Sequence, residues 1–262
     1  DENLSEAQDA VEPETDEIQE HSDTEPFPIE ELEIREPEPA VSEAVPETVH
    51  NLADFLGNMD TRSSRNMAMR TALELWNTEA LIKEELDNMD DSRAFFRLGT
   101  KQNSLLIYRS DSGFELVKKL NLPAIFEFHS PAGLSPGYLT LVKTDDRKMT
   151  FRNGDELIEA EPDEVEFYWP GVAYIPWKNF FSYSGAIPRN TSEDAVVTLK
   201  MILRDIGFKE IEISPDYDDP TREAVEAIQE KHGLLVDGVV GPLTKIILYN
   251  EMESLDIPHI GQ

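Results

Sequence analysis

Apolar residues recur at helical intervals through about the last seventy positions of the chain. Val196, Leu199, Leu203 and Ile206 are spaced 3, 4 and 3 apart, an apolar stripe along one helix that Gly207 stops. Asp219-Pro220 supplies a cap and a first-turn proline for a second helix, whose buried side includes Ala224, Val225 and Ile228. Gly241-Pro242 opens a third, with Leu243, Ile246 and Ile247 facing inward. The pattern predicts a small three-helix bundle over 186–262.

Ahead of it, the period changes. Ala68, Ala72, Leu75 and Trp76 mark one helix face, and Ala80-Leu81-Ile82 with Leu86 suggests another. After Ser92-Arg93-Ala94-Phe95-Phe96 the pattern turns to short strands at Ser104–Tyr108, Ala124–Phe128, Tyr138–Lys143, Lys148–Arg152 and Val172–Trp177. Thr144-Asp145-Asp146-Arg147 reads as a hairpin turn, and Phe114 to Leu120 as a short helix. Residues 47–185 therefore read as an α+β domain with helices packed on one antiparallel sheet.

Charge separates a third region. The chain of 262 residues has a formal charge of -31. Residues 1–50 hold 18 acidic side chains and one basic one, Arg35. With six prolines and few clustered apolar residues, residues 1–46 read as a disordered acidic tether. Fully stretched, it would reach roughly 150 Å. Acidity excludes nucleic acid as a partner, because phosphates would be repelled. The absence of cysteine excludes disulfides, thiolate metal sites and thiol nucleophiles. No apolar run is long enough to span a bilayer. The expectation is that any export signal or membrane anchor lies upstream of Asp1.

Two resemblances follow from particular residues. Leu199, Leu203, Gly207-Phe208, Thr221, Ala224-Val225, Ile228-Gln229, Gly233-Leu234, Asp237-Gly238, Gly241, Thr244 and Leu248 resemble the three-helix peptidoglycan-binding domain of bacterial cell-wall proteins. That family repeats an Asp-Gly-x-x-Gly loop before its middle helix, where this chain reads Asp216-Tyr217-Asp218-Asp219-Pro220. Asn121-Leu122-Pro123-Ala124-Ile125-Phe126-Glu127-Phe128 and Phe167-Tyr168-Trp169-Pro170-Gly171-Val172-Ala173-Tyr174-Ile175-Pro176-Trp177 resemble the periplasmic part of general secretion pathway protein A, the ExeA type. In that family such a domain precedes a peptidoglycan-binding domain, the order found here. The middle domain distantly resembles papain-like bacteriocin-processing peptidases. That likeness implies a cysteine where Ser63-Ser64-Arg65-Asn66-Met67 stands, a histidine at Gly137-Tyr138 and an aspartate near Arg152-Asn153-Gly154. All three roles are empty, which leaves nothing to move a proton.

Other candidate chemistry is thin. His21, His50, His129, His232 and His259 lack the i, i+4 pairing of a zinc-protease helix. His232 precedes the helix-ending Gly233, where positive charge suits a helix carbonyl end. With 54 Asp and Glu residues, chance carboxylate pairs carry no glycosidase signal. Asp216, Asp218 and Asp219 lack the glycine and final glutamate of a calcium loop, so Asp219 reads as a cap and the others as turn residues. Trp76, Trp169 and Trp177 read as core. No cofactor or metal is implied.

The peptidoglycan resemblance implies a shallow groove beside the glycine-rich turn, where backbone amides approach the ligand without a Cβ in the way. Asp237, Gly238, Val239 and Gly241 are the candidate groove residues, with Gln229 supplying an amide. Residues 191–262 contain 15 acidic and six basic side chains, which favours a cationic feature of the ligand, and Asp237 is the first choice to meet an ammonium group. The same residues also suit a purely structural turn. The resemblances together imply a non-catalytic, periplasmic, peptidoglycan-attached protein serving secretin assembly in a type II secretion system. Its expected partners are a general secretion pathway protein B-like membrane protein and, indirectly, the secretin, with self-association possible. A cell-wall hydrolase that uses the bundle for targeting is the competing reading, and an interaction protein that has lost wall binding is a third.

Overall fold

The computed structural model describes residues 49–130, 135–145, 147–188 and 191–261. The acidic segment 1–46, His21 and the side chain of His50 lie outside the described residues, as does Asp146 in the expected hairpin turn. In chain order the elements are β1 (Val49–His50), α1 (Leu52–Gly57), α2 (Thr61–Leu75), α3 (Glu84–Asp87), α4 (Ser92–Gln102), β2 (Leu106–Ser110), α5 (Phe114–Leu120), β3 (Ala124–His129), β4 (Pro136–Thr144), β5 (Met149–Asn153), β6 (Glu156–Ala160), α6 (Pro162–Tyr168), β7 (Ala173–Trp177), α7 (Glu193–Asp205), α8 (Asp219–Lys231) and α9 (Pro242–Asn250).

The strands form one sheet in the order β1-β6-β5-β4-β3-β7-β2. Neighbours are antiparallel throughout except β1 and β6, which run parallel at one edge. Side chains alternate across it with period two. Ile125, Tyr138 and Tyr174 pack with Ala68, Met69, Phe95 and Phe96 of α2 and α4. Phe126, Phe128, Leu139, Leu141 and Ile175 face the other way, toward α5 and a buried layer continuous with the bundle. Gly99 lets α2 and α4 cross closely, since a Cβ there would lie 2.7 Å from Met69 Cε.

The mixed helix-and-sheet architecture and the terminal three helices are as expected; several local details differ. No helix spans 80–82: Asn103 accepts from Leu81 N–H at 2.9 Å and donates to Leu81 C=O at 2.9 Å, holding that segment extended with Leu81 at 54% exposure. Helix follows only in the single turn α3. Conversely α4 runs on past Phe96 to Gln102, because Gly99 and Thr100 continue its buried face. β6 was missed, although Asn153-Gly154-Asp155-Glu156 closes a two-residue hairpin turn with Gly154 at φ +66°.

Helix α9 docks the bundle. Tyr249 Oη accepts from Phe180 N–H at 3.0 Å and Phe181 N–H at 3.3 Å, and donates to Asn179 Oδ1 at 3.1 Å. Asn250 Nδ2 donates to the α5 carbonyl of Leu120 at 2.8 Å. Ile187 and Val240 form an isolated antiparallel bridge, and the tail follows, with Thr144 N–H donating to Ile260 C=O at 2.8 Å and Gly261 N–H to Asn121 Oδ1 at 2.8 Å. Lys245, 1% exposed, donates to the carbonyls of Tyr183 at 2.8 Å and Gly185 at 3.0 Å and sits near the Phe181 ring. Burial lowers its pKa to about 8.

That ammonium gives a pH signature. Its folded pKa lies below the ordinary 10.5, so between about pH 8 and 10.5 the unfolded chain binds more protons and stability rises with pH. Between about pH 7.5 and 9.5, below most tyrosine ionisation, the unfolding free energy should rise by about 1–2 kcal/mol relative to Lys245→Met. Parallel urea titrations of the two proteins measure it; indistinguishable pH slopes would refute the assignment.

Candidate functional site

The loop joining α8 to α9 carries the candidate groove, and its shape begins with how α8 is held. Asp218, not Asp219, is the N-cap: its Oδ1 accepts from Thr221 N–H at 3.0 Å, while Oδ2 pairs with Lys200 Nζ at 2.7 Å. Lys200 is fully buried and also donates to Ser214 Oγ at 2.7 Å, so its charge recruits Asp218 into the cap, leaving Asp219 outside to pair with Arg222. Partial burial opposes ionisation of Asp218, but Lys200 and the Thr221 donors bring its pKa down to about 2. Tyr217 of the same segment donates to Gly238 C=O at 2.5 Å, tying the altered first loop to the second.

The end of α8 is a glycine-closed turn: Gly233 N–H donates to Glu230 C=O and Leu234 N–H to Gln229 C=O, with Gly233 at φ +59°. His232 caps the helix and meets Glu251 Oε1 at 2.5 Å, a side-chain partner beyond the helix end expected for it. Gln229 then organises the loop from below. Its Oε1 accepts from Asp237 N–H at 3.0 Å and Gly238 N–H at 2.9 Å, and its Nε2 donates to Asp237 Oδ1 and Val239 C=O, both at 3.0 Å. It is 2% exposed, so its amide faces the loop backbone and not solvent.

The structure brings Gln229, Asp237, Gly238 and Val239 into one hydrogen-bonded knot, and sets Gly241 beside it as the N-cap of α9. Gly238 is required there twice over: φ is +66°, and a Cβ would lie 2.8 Å from Arg222 Cγ. Asp237 is exposed; Oδ1 accepts from Val239 N–H at 2.9 Å, while Oδ2 has no partner among the described residues. Beside it, Leu235 at 79% and Val236 at 50% exposure form an apolar rim that sequence reasoning passed over. Their signal was present, since two large apolar residues inside a turn have no core to enter. An exposed carboxylate beside an apolar rim can pair with a cation while the rim covers carbon surface.

A second concavity, of about 470 Å³, gathers the positions that the peptidase resemblance pointed to. Ser63 and Ser64 at the start of α2 and Asn153 at the end of β5 line it together with Met59. Ser64 Oγ donates to Thr61 C=O at 3.1 Å and accepts from Tyr138 N–H at 3.3 Å, so both its contacts are backbone. A Cβ on Gly137 would lie 2.5 Å from Met59 Sδ: methionine fills the volume a histidine there would need. Among the described side chains no histidine lines this cleft, and no group of three or more His, Asp or Glu is placed to hold a metal. Among the described residues no helix is long and apolar enough to cross a membrane.

Residues 192–248 match the family model described as "Putative peptidoglycan binding domain", which spans the bundle and its loop. The fold resembles the periplasmic domain of the EpsAB fusion protein of the Vibrio vulnificus type II secretion system, with TM-score 0.50 and 14% identity over 78% of this chain and 83% of that one. Weaker likenesses are to the N-terminal peptidase C39-like domain of a toxin secretion ATP-binding protein from Vibrio parahaemolyticus (TM-score 0.36, 15% identity, 46% of this chain and 99% of that one). A peptidoglycan-binding protein from Clostridioides difficile also matches (TM-score 0.25, 18% identity, 47% of this chain and 65% of that one). No curated protein sequence matches the chain.

The Gln229 knot makes a stability prediction. Gln229→Ala leaves the Asp237 and Gly238 amides without their partner and the Val239 carbonyl with the longer bond from Thr244 Oγ1 at 3.3 Å. The cost should be about 2–4 kcal/mol, from several partly buried polar groups stranded together. A lowered urea midpoint with an unchanged m-value would register it, whereas an unshifted midpoint would show that water replaces the amide.

Proposed function

We propose that the chain binds peptidoglycan in the periplasm through α7–α9, without acting on it, and that the α+β domain ahead of the bundle is a peptidase-derived scaffold for type II secretion. The family match over 192–248 is the observation that carries the binding half of this reading. Asp237 Oδ2, which has no partner among the described residues, lies beside the apolar rim of Leu235 and Val236. Asp237 is the contact to the ammonium of a diamino acid, Gly238, Val239 and Gly241 form the floor, and Gln229 sets the floor's shape from beneath. The domain limits 47–185 and 186–262 belong to the same proposal, with the two parts joined through α9.

The non-catalytic half rests on the cleft at α2, β4 and β5, where serines, a glycine backed by methionine and an asparagine occupy the three expected positions. The secretion role rests on the order of the two modules and on the Asn121–Phe128 and Phe167–Trp177 phrases. The EpsAB fold likeness is in keeping with it. The scaffold would contact a general secretion pathway protein B-like partner, and the secretin through that partner, or support self-association.

Sedimentation with purified sacculi tests the binding. The full chain should pellet, and Asp237→Asn should pellet several-fold less while keeping its melting midpoint, because asparagine retains the Oδ1 acceptor and removes only the charge. A chain that stays in the supernatant would sink the proposal, as would undiminished pelleting of the variant for Asp237 alone. In parallel, dye-labelled sacculi should release nothing above buffer; steady release would revive the hydrolase reading.

A further inference from the structure

Helix α4 carries a row of cations along one side. Arg93, Arg97 and Lys101 recur at i, i+4 and i+8 along α4, all three exposed. Among the described residues none has an acidic partner within salt-bridge distance. A three-residue connection folds β2 back beside α4, and Arg109 of β2 adds a fourth cation, paired at 3.3 Å with Asp111. The four line a cleft of about 440 Å³ together with Ile107 and Tyr174.

One wall of this cleft is an open sheet edge. Among the described residues β2 ends the strand order and pairs with β7 alone. Opposite Ile107 stands Pro176, which has no N–H and whose carbonyl turns away to accept from Trp76 Nε1 at 3.2 Å. Ile107 is therefore at a non-hydrogen-bonded position of that ladder, as is Arg109 two residues on. Both point their backbone N–H and C=O groups outward, along the lip of the cationic cleft. Alternate side chains of an extended strand are about 6.6–6.8 Å apart, and residues four apart on a helix rise about 6 Å. The two periods nearly coincide.

We propose that the α4–β2 cleft captures an extended acidic segment of a partner protein, which adds to the sheet beside β2 and sets a carboxylate at every second position against Arg93, Arg97 and Lys101. Backbone pairing at Ile107 and Arg109 holds the segment, and the cation row selects its sequence. A second copy of β2 does not fit, since edge-to-edge pairing would bring two cation rows together. Anionic lipid or glycan would satisfy the charges but leave the strand edge unused.

The test titrates the full chain into a fluorescent synthetic peptide of alternating glutamate and threonine and follows anisotropy. Saturable binding that weakens with salt is expected. Replacing the peptide's glutamates by glutamine, or making Arg93→Ala, Arg97→Ala and Lys101→Ala together, should each weaken it about tenfold or more. Those three residues are exposed, so the melting midpoint of the triple variant should hold. Two further peptides, N-methylated on all glutamates or on all threonines, separate strand addition from plain charge attraction. One of the two should lose binding and the other keep it, because successive amides point to opposite edges of a strand. No binding by the parent peptide, undiminished binding by the triple variant, or equal binding by both methylated peptides would each overturn the proposal.

Discussion

Helix α9 is buried on two sides, and the arrangement of the molecule depends on that. Thr244 on one side reaches Gln229 at 3.3 Å and so touches the knot beneath the candidate groove. Lys245 and Tyr249 on another side hold the 179–185 segment that leads out of the sheet. Asn250 at its end meets α5. Nine residues thus fix the loop, the linker and the sheet in one frame. The ammonium of Lys245 is a costly way to do this, since a buried cation has only carbonyl dipoles and aromatic faces to replace water. What it gives is directional: two carbonyls of the linker, Tyr183 and Gly185, are held on a single atom.

The bundle was legible because its information is local. Apolar spacing, Gly207 and Gly233 with positive φ, and prolines at the first turns of α8 and α9 are all written within a few residues of where they act. What was lost is non-local. Nothing beside Asp219 says that the charge of Lys200, almost twenty positions earlier, will choose Asp218 as the cap instead. Nothing near Ala80-Leu81-Ile82 announces that Asn103 will clamp Leu81 extended from 22 residues away. The β5–β6 hairpin was the opposite failure, for its Gly154-Asp155 turn was in plain view. Of the candidate site, the glycines and Asp237 could be read from turn chemistry, but the inward aim of Gln229 could not, because a polar residue on a helix gives no sign of which backbone it will bond.

The cleft at the start of α2 is shaped by bonds that belong to the packing of helix on sheet. A helix N-terminus, a strand start and a neighbouring strand end converge there, held by Thr61 bonding Pro136 C=O at 2.6 Å and Thr140 bonding Ala68 C=O at 2.8 Å. Those bonds belong to the scaffold and ask nothing of a nucleophile. Met59 packs against Gly137, where a Cβ would lie 2.5 Å from its Sδ. The same geometry keeps α2 seated on the sheet.

Charge placement sets two faces of the molecule apart. The bundle is net negative and offers a carboxylate beside an apolar rim, which suits a ligand bearing an ammonium. The α4–β2 cleft offers the reverse, cations beside open backbone groups. In a chain of formal charge -31, a solvent-exposed row of three cations spaced along one helix lowers the local potential barrier to anionic polypeptide while the remaining surface repels it. An acidic partner would thus be steered to one edge. A cationic ligand would be steered to the other module, so that both could be engaged without competing for the same surface.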